Sequence, residues 1–387
     1  MTRSSGLSIV VTGMIAADAH HGGATWAVLQ YVLGLIELGH HVCFIEPIMA
    51  SKLRPANVTL ARTAAAARFR WLTERFGFSA SAAMLLEDTT ETVGLSYAAI
   101  REWARQADLL INISGLLKDA ALLEPIARRV YLDLDPGFNQ VWQSAGDLDV
   151  PFDAHTHFVT VGLAMGRSHC RVPTCGKRWI TTCPPVLLRK WPVAPCLRHD
   201  AFTTVANWRS YGSVQHDGMF LGQKVHALRP LLELPRKTKA HFALALEIHP
   251  SEPDLARLRQ NGWMLIDPKR ASGTPLAYRR FVSGSRAEFG LAKSGYVVSR
   301  SGWFSDRSAC YLAAGRPVLA HDTGFGAALP TGKGLLTFSN ESDVLAGIDA
   351  IESDYCGHRE AARAIAQGYF DSRRVLPRLI DRVGAIS

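Results

Sequence analysis

The stretch of residues 285–325 most constrains the fold, because apolar segments and glycine-containing loops follow one another there in a set order. Residues 295–300 (GYVVSR) are β-branched and aromatic, which predicts a buried strand. Ser305 is a typical N-cap, and Gly315 a typical end, of the helix between them. Residues 318–320 (VLA) begin another strand. The pattern predicts a strand–loop–helix–strand unit. The unpaired N–H groups at the start of its helix can bind an anion, or the unit can be an ordinary one with a capped helix and no ligand.

The N-terminal region has the same order. A predicted strand at 7–13 is followed by a polar loop, a helix at 24–38 and a strand at 41–45, as in a doubly wound parallel sheet. Glu46 stands where a dinucleotide-binding fold carries its ribose-binding acid. However, the G-x-G-x-x-G fingerprint is absent and the loop is too long, so NAD binding is disfavoured.

The second half of the chain restarts this pattern. The predicted elements there are strands at 202–206, 241–248 and 264–267, helices at 220–234, 255–262, 278–283 and 286–294, and terminal helices at 341–352, 358–370 and 375–383. We therefore expect an α/β protein with two Rossmann-like doubly wound domains that face each other across a cleft. The predicted boundaries are 1–190, 191–365 and a C-terminal helical segment, 366–387, that packs back on the first domain. A ligand is expected between the domains, at the carboxyl ends of the strands.

Composition supports two soluble domains in the cytoplasm. The chain has 387 residues, of which 48% are hydrophobic and 20% charged, and no apolar run is long enough to cross a membrane. The first residues do not resemble a signal peptide, and seven cysteines, an odd number, suit a reducing compartment. The net charge of +9 comes from scattered Lys and Arg, so a phosphate site or an acidic membrane face explains it as well as nucleic acid does, and nucleic acid is not the expected partner.

Two patterns raise the question of a metal. Asp133 and Asp135 end a predicted strand as D-L-D-P-G, and such a triplet binds a divalent cation in one class of sugar-transfer fold. We expect instead a cleft-lining loop without a metal. The cysteines between 170 and 196 lack paired C-x-x-C spacing, which disfavours structural zinc.

Two segments resemble the GT-B glycosyltransferases. Residues 299–320 (SRSGWFSDRSACYLAAGRPVLA) resemble the loop–helix–AxAxGxPV–strand segment of that family, and 207–224 resembles its second phosphate-binding element. The paired Gly22 and Gly23 are also similar to the family pattern. The arrangement GWFSDRS…LAAGRPV…DTGF is that of a loosely characterised bacterial branch. The resemblance implies a nucleotide-diphosphate sugar as donor, no separate cofactor, and an acceptor that is a small molecule, a glycan or a lipid.

The sequence and this resemblance together predict the site residues. Arg209 and Lys224 match the family's phosphate-binding cations, which would neutralise charge on the departing diphosphate. The diphosphate-binding residues are predicted to be Arg209, Lys224, Lys293, Ser305, Asp306, Arg307 and Ser308. The sugar and the nucleobase of the donor are expected beside Glu247, His249, His321, Asp322 and Thr323. The general base that removes the proton of the acceptor is predicted to be His20 or His21, oriented by Asp18, with His155 and His157 as second choices. The cleft facing the acceptor is predicted to include Gly22, Gly23, Asp133 and Asp135.

One departure from the family pattern affects function. Many relatives carry two glutamates in this region, and Gly302 and Cys310 stand at those places here. The first hypothesis is a metal-independent, inverting glycosyltransferase. The alternatives are a nucleotide-sugar epimerase of the same architecture, which needs carboxylates around the sugar, and a non-catalytic, nucleic-acid-associated protein, which steeply salt-dependent DNA binding would indicate.

Overall fold

The computed structural model describes residues 6–54, 58–146, 150–193 and 195–385. The N-terminal residues 1–5, used above to judge a signal peptide, and the last two residues of the predicted C-terminal segment lie outside the described residues. The strands are β1 (Ser8–Thr12), β2 (His41–Ile48), β3 (Ala82–Leu86), β4 (Thr92–Gly94), β5 (Leu109–Ile113), β6 (Arg129–Asp133), β7 (His157–Thr160), β8 (Trp179–Thr181), β9 (His199–Asn207), β10 (Val214–His216), β11 (Met219–Leu221), β12 (Phe242–Glu247), β13 (Met264–Ile266), β14 (Ser285–Gly290), β15 (Val318–His321) and β16 (Leu335–Phe338).

Helices connect these strands. They are α1 (Gly22–Glu37), α2 (Ala64–Phe76), α3 (Tyr97–Gln106), α4 (Ala120–Leu123), α5 (Phe138–Ala145), α6 (Lys224–Leu228), α7 (Asp254–Gln260), α8 (Pro268–Ser272), α9 (Pro275–Gly284), α10 (Ser294–Val298), α11 (Asp306–Ala313), α12 (Glu341–Ser353), α13 (Tyr355–Ile365) and α14 (Ser372–Arg382). Within the described part of the chain, none of them is both long and apolar enough to span a membrane.

The first sheet has the strand order β4-β3-β2-β1-β5-β6-β7-β8 and is parallel except for the β3–β4 pair. Its central strands are fully buried, as in β5 (LLINI), because helices cover both faces. The chain reverses direction across the sheet between β1 and β5. In a doubly wound sheet, this switch point opens a crevice outside the carboxyl ends of the two strands.

The second sheet has the order β13-β12-β9-β14-β15-β16, and every pair in it is parallel. Its switch point lies between β9 and β14, so a second crevice opens after Asn207 and Gly290. All strands of the first sheet precede residue 190, and all strands of the second follow it. The expected α/β fold with two Rossmann-like sheets is confirmed, whereas the domain boundaries stay a prediction.

Two neighbouring secondary-structure predictions are wrong. The segment 286–294, expected to be helical, contains β14, and the segment 295–300, expected to be a strand, contains α10. The polar residues of the sequence SRAEFG are not typical of a central strand. They are tolerated in β14 because their side chains form hydrogen bonds with other residues of the protein. Ser285 accepts a hydrogen bond from Thr203, and Glu288 accepts one from Arg307 at 2.5 Å.

The start of α6 also differs from the prediction. Phe220 lies in the antiparallel β10–β11 hairpin rather than near a helix start, and α6 begins at Lys224. The hairpin occupies the loop after β9, where the sequence predicted irregular structure. It packs its apolar residues Val214, Met219 and Leu221 with Phe138 of the N-terminal half.

The two halves are packed tightly against each other. Helix α1 lies against α9, and Trp26 of α1 donates a hydrogen bond to the Pro275 carbonyl at 2.7 Å. The start of α1 approaches so closely that a Cβ added at Gly22 would lie 2.3 Å from the carbonyl oxygen of Thr274. At the C-terminus, α14 packs on α1, where Leu376 touches Gly34. The paired glycines therefore serve a close helix approach between the halves.

Candidate functional site

A cleft of about 670 Å³ lies where the two switch points face each other. Its walls come from the loop after β1, the start of α1, the strand ends of β9 and β12, and the start of α11. Of the predicted site residues, those that line it are His20, His21, Gly23, Arg209, Lys224, Glu247, Lys293, Ser305, Asp306 and Arg307. Residues distant in sequence therefore meet at the carboxyl ends of both sheets, which is the expected ligand position for this architecture.

Lys224 is the most informative of these residues. It opens α6, and its ammonium group faces the cleft without a hydrogen bond or ion pair to any described residue. Burial, with a further contribution from the like charge of Arg307, lowers its pKa to about 7. A partly buried cation without a direct partner is costly, and the carboxylates of Glu288, Asp306 and Asp135 compensate its charge only in part. The position therefore suits an anionic group.

The other predicted cations have protein partners. Arg307 donates to Glu288 at 2.5 Å and to the Val205 carbonyl at 3.0 Å, so a buried carboxylate balances its charge beneath the cleft. Arg209, which is half exposed, donates to Glu252 at 2.9 and 3.3 Å. To bind a phosphate, such an arginine must either release its carboxylate partner or bind the carboxylate and the phosphate at the same time.

Lys293 belongs to a contact between the halves. It donates to Asp135 at 2.8 Å and also to the hydroxyl of Tyr211, and the Tyr211 and Tyr296 hydroxyls both donate to Asp135. Its ammonium lies 4.9 Å from the ring centroid of Phe138. Burial lowers the pKa of Lys293. This cluster joins the loop after β6 to the second half and forms one end of the cleft.

The start of α11 lies on the cleft as the sequence predicted. The Ser305 hydroxyl accepts a hydrogen bond from the Arg307 N–H at 3.2 Å, which confirms the N-cap. Asp306 faces the cleft, and its carboxylate has no side-chain hydrogen bond or ion pair to the described residues. Burial raises the pKa of Asp306. Asp306 and Glu247 are the carboxylates among the described residues that line the cleft.

The loop between β1 and α1 is held by a buried carboxylate. Glu46, inside β2, accepts hydrogen bonds from the Ala16 and Ala17 N–H groups at 2.9 and 2.7 Å. Burial raises its pKa to about 7, although these hydrogen bonds oppose the shift. The acid that suggested a ribose contact thus fixes the loop that carries the two histidines. His20 has a left-handed backbone with φ of 65°, which turns the chain into α1.

The remaining predicted residues lie beside or behind the cleft. Asp18 pairs with Lys52 at 3.5 Å rather than with either histidine. Ser308 is buried in α11, and His249 contacts Ser251 at 2.6 Å. The residues of the 321–323 segment also have partners in the fold. The His321 ring packs on Phe338, Asp322 accepts from the Gly324 N–H, and Thr323 donates to the Trp303 carbonyl.

Asp133 of the D-L-D triplet and the second-choice general bases, His155 and His157, also form hydrogen bonds within the protein. Asp133 is fully buried, accepts from Gln140 and Thr160, and has its pKa raised to about 6 by burial. His155 is buried and bonded to the Pro151 carbonyl at 2.7 Å, and His157 contacts Thr156. Across the described residues, no group of three or more His, Cys, Asp or Glu side chains has metal-binding geometry.

The places of the two absent glutamates have structural explanations. Gly302 has φ of 70°, and a Cβ there would lie 2.3 Å from the Ala164 nitrogen. At this point the Leu163 and Ala164 N–H groups donate hydrogen bonds to the carbonyls of Gly302 and Ser301. Cys310 is buried and bonded to the Gln30 amide at 3.5 Å. A glutamate fits neither position in this arrangement of the halves.

The sequence interpretation missed several residues that line the cleft. These are Asn207 at the end of β9, Lys269 and Ser272 on α8, Tyr278 on α9, and Tyr296 and Trp303. The signal for Asn207 was its place at a strand end. The signal for α8 was Asp267–Pro268, an N-cap followed by proline, and the Asp267 side chain does accept the Lys269 N–H at 2.8 Å.

Comparison with known proteins supports the architecture. No family model and no curated protein sequence matches the chain. Among solved structures, HepE from Anabaena in complex with UDP and glucose superposes with a TM-score of 0.58 at 10% identity, over 98% of this chain and all of that one. An α-glucosyltransferase in complex with UDP and a 13-mer DNA containing a HMU base gives 0.59 at 11%, over 98% and 100%. A glycosyltransferase from Rickettsia africae ESF-5 gives 0.51 at 10%, over 97% of each chain. At these identities the likeness shows that this chain shares their two-sheet fold.

Proposed function

We propose that the protein is a glycosyltransferase that moves a sugar from a nucleotide-diphosphate sugar to an acceptor hydroxyl. The observation that carries the proposal is Lys224, a cation on the cleft wall that forms no hydrogen bond or ion pair with the described residues. The diphosphate of the donor supplies the direct anionic partner. Structures of the same fold bound to UDP or UDP-glucose support this assignment.

In the proposed mechanism the acceptor oxygen attacks the anomeric carbon while the bond from that carbon to the diphosphate oxygen breaks. The electron pair goes to the leaving diphosphate, whose growing charge is stabilised by Lys224, with Arg209, Lys293 and the start of α11 nearby. Asp306 and Glu247 accept hydrogen bonds from donor hydroxyl groups. Because the protein's own cations neutralise the charge, we propose that the reaction needs neither a divalent metal nor a separate cofactor, and we expect full activity in the presence of EDTA.

The acceptor proton is assigned to a histidine of the loop after β1. His20 and His21 are exposed at the cleft, where an imidazole nitrogen can accept the proton of an acceptor hydroxyl. A base placed across the cleft from the diphosphate suits a direct displacement, so we propose inversion at the anomeric carbon.

The test begins with a panel of UDP-, GDP- and TDP-sugars, assayed for transfer and hydrolysis. The anomeric configuration of the product is then read by NMR. Transfer supports the proposal, interconversion of two nucleotide sugars indicates an epimerase, and the absence of turnover and binding with every donor contradicts both. The same titration with duplex DNA at two salt concentrations tests the nucleic-acid alternative.

A variant locates the diphosphate. Lys224→Met is expected to weaken UDP binding, measured by calorimetry, by at least about tenfold, since a charge-assisted contact is lost. Lys118→Met, which removes an exposed lysine that does not line the cleft, is the matched control. Equal UDP affinity in both variants would refute the assignment of Lys224.

A further inference from the structure

A second concave site lies outside the donor cleft. It is a groove of about 590 Å³ whose five basic residues are Arg75, Arg189, Arg198, Arg279 and Arg280. We call it the arginine groove. It is bordered by the end of α2, by α9 and by the prolines of the segment that joins the two halves, Pro192 and Pro195. None of the described residues that line it is an Asp or a Glu.

Most of the positive charge in the arginine groove is not balanced by the protein. Arg189 pairs with Glu37, and Arg279 donates to the Lys190 carbonyl at 3.3 Å. The side chains of Arg75, Arg198 and Arg280 form no hydrogen bond or ion pair with the residues that the structure describes. All three are exposed, so each guanidinium can present its donor groups to a ligand.

Lys190 shows independently that these cations are close enough to interact. Its pKa is lowered by burial and then by the positive charges of Arg189 and Arg279, with a smaller effect from Arg75 and a partly compensating one from Glu37. Like charges brought together in this way destabilise the unliganded protein. An anion that bridges them removes the repulsion.

We propose that the arginine groove binds the phosphate groups of a ligand that carries two or more of them. Guanidinium groups suit this chemistry because their planar donors bind phosphate oxygens in pairs. The groove has five of them, and the carboxylate of Glu37 pairs with only one, Arg189. The site is separate from the donor cleft, since the two linings share no residue. The proposal therefore does not depend on the proposed glycosyl transfer.

The test uses tripolyphosphate as the probe and the full-length chain, titrated by calorimetry. Lys224→Met serves as the background, because it removes the lysine that we expect to bind the probe in the cleft. In that background, Arg75→Glu with Arg280→Glu is expected to weaken tripolyphosphate binding by at least about tenfold. Both arginines are exposed and lack a described partner, so the fold should tolerate the change.

The matched control is Arg101→Glu with Arg259→Glu, which alters the net charge equally at two exposed arginines outside the groove. Retained affinity in the groove variant, or equal weakening in both variants, would overturn the proposal. Sedimentation with phosphatidylcholine vesicles, with and without phosphatidylglycerol, then identifies the source of the phosphate. Binding to the anionic vesicles that the groove variant loses indicates lipid headgroups, and tripolyphosphate binding without vesicle binding indicates a free phosphate compound.

Discussion

Removing the charge of Lys224 should stabilise the ligand-free protein, although the same change removes ligand binding. The pKa of this lysine falls from 10.5 to about 7 in the fold. At about 1.4 kcal/mol per pKa unit, the shift corresponds to a cost of up to about 5 kcal/mol for the charged form. Because the cleft is open to solvent, we expect Lys224→Met to recover about 1–3 kcal/mol of unfolding free energy near neutral pH.

The pH dependence gives this prediction a distinctive sign. The folded pKa is lower than the unfolded one, so the unfolded chain binds more protons between pH 7 and 10.5. The stability contribution of Lys224 therefore improves as pH rises through this window, and the advantage of the methionine variant should shrink. A diphosphate ligand should reverse the order, since it stabilises the wild-type protein and not the variant.

The assay is urea unfolding of the wild-type protein, Lys224→Met and the control Lys118→Met, each at pH about 7 and about 9.5, with and without UDP. The reasoning is refuted if Lys224→Met is less stable than the wild type near neutral pH. A stability difference that stays constant with pH would refute it as well, because the lysine would then not be titrating in the fold.

Three further predictions follow from the contacts around the cleft. Glu46, whose pKa burial raises to about 7, should make the protein lose stability as pH rises from about 4.5 to 7, and Glu46→Gln should reduce that loss in urea unfolding at the two ends of this range. Gly22→Ala should destabilise the protein by about 1–3 kcal/mol, because its Cβ would lie 2.3 Å from backbone before α9, whereas the control Gly368→Ala meets no atom within 4 Å. Asp135→Asn should cost about 2–4 kcal/mol by leaving Lys293 without its counter-charge, and a double-mutant cycle with Lys293→Met that shows no coupling would contradict the contact.

Local signals predicted the fold class and much of the cleft. The strand, helix and cap patterns around β1, α1, β9 and α11 depend on nearest neighbours, so they can be read from the chain. The rule that ligands bind at the carboxyl ends of parallel strands then brought Lys224, Ser305 and Asp306 to one place. The resemblance to a known family contributed the phosphate-binding role of Lys224, which the fold accommodates and which stays a proposal.

The wrong predictions have a common cause, which is the pairing of polar side chains that are distant in the sequence. Polar residues such as Glu288 made β14 look helical, because the arginine that neutralises Glu288 lies 19 residues away. Such pairs also affect the cations that were predicted to bind the diphosphate. Arg307 and Arg209 already bind the carboxylates of Glu288 and Glu252, which lie too far along the sequence to be recognised as their partners.

The sequence by itself determined that this chain forms two parallel α/β layers with a capped helix start at their junction, because propensity, periodicity and capping act within a few residues. Only the tertiary structure decided which charges stay unbalanced. Lys224, Arg75, Arg198 and Arg280 stand out because, among the described residues, no carboxylate forms a hydrogen bond or ion pair with them, whereas Arg307, Arg209 and Arg189 each have one. Net charge at a site is a sum over residues that the fold brings together, and no local pattern contains that sum.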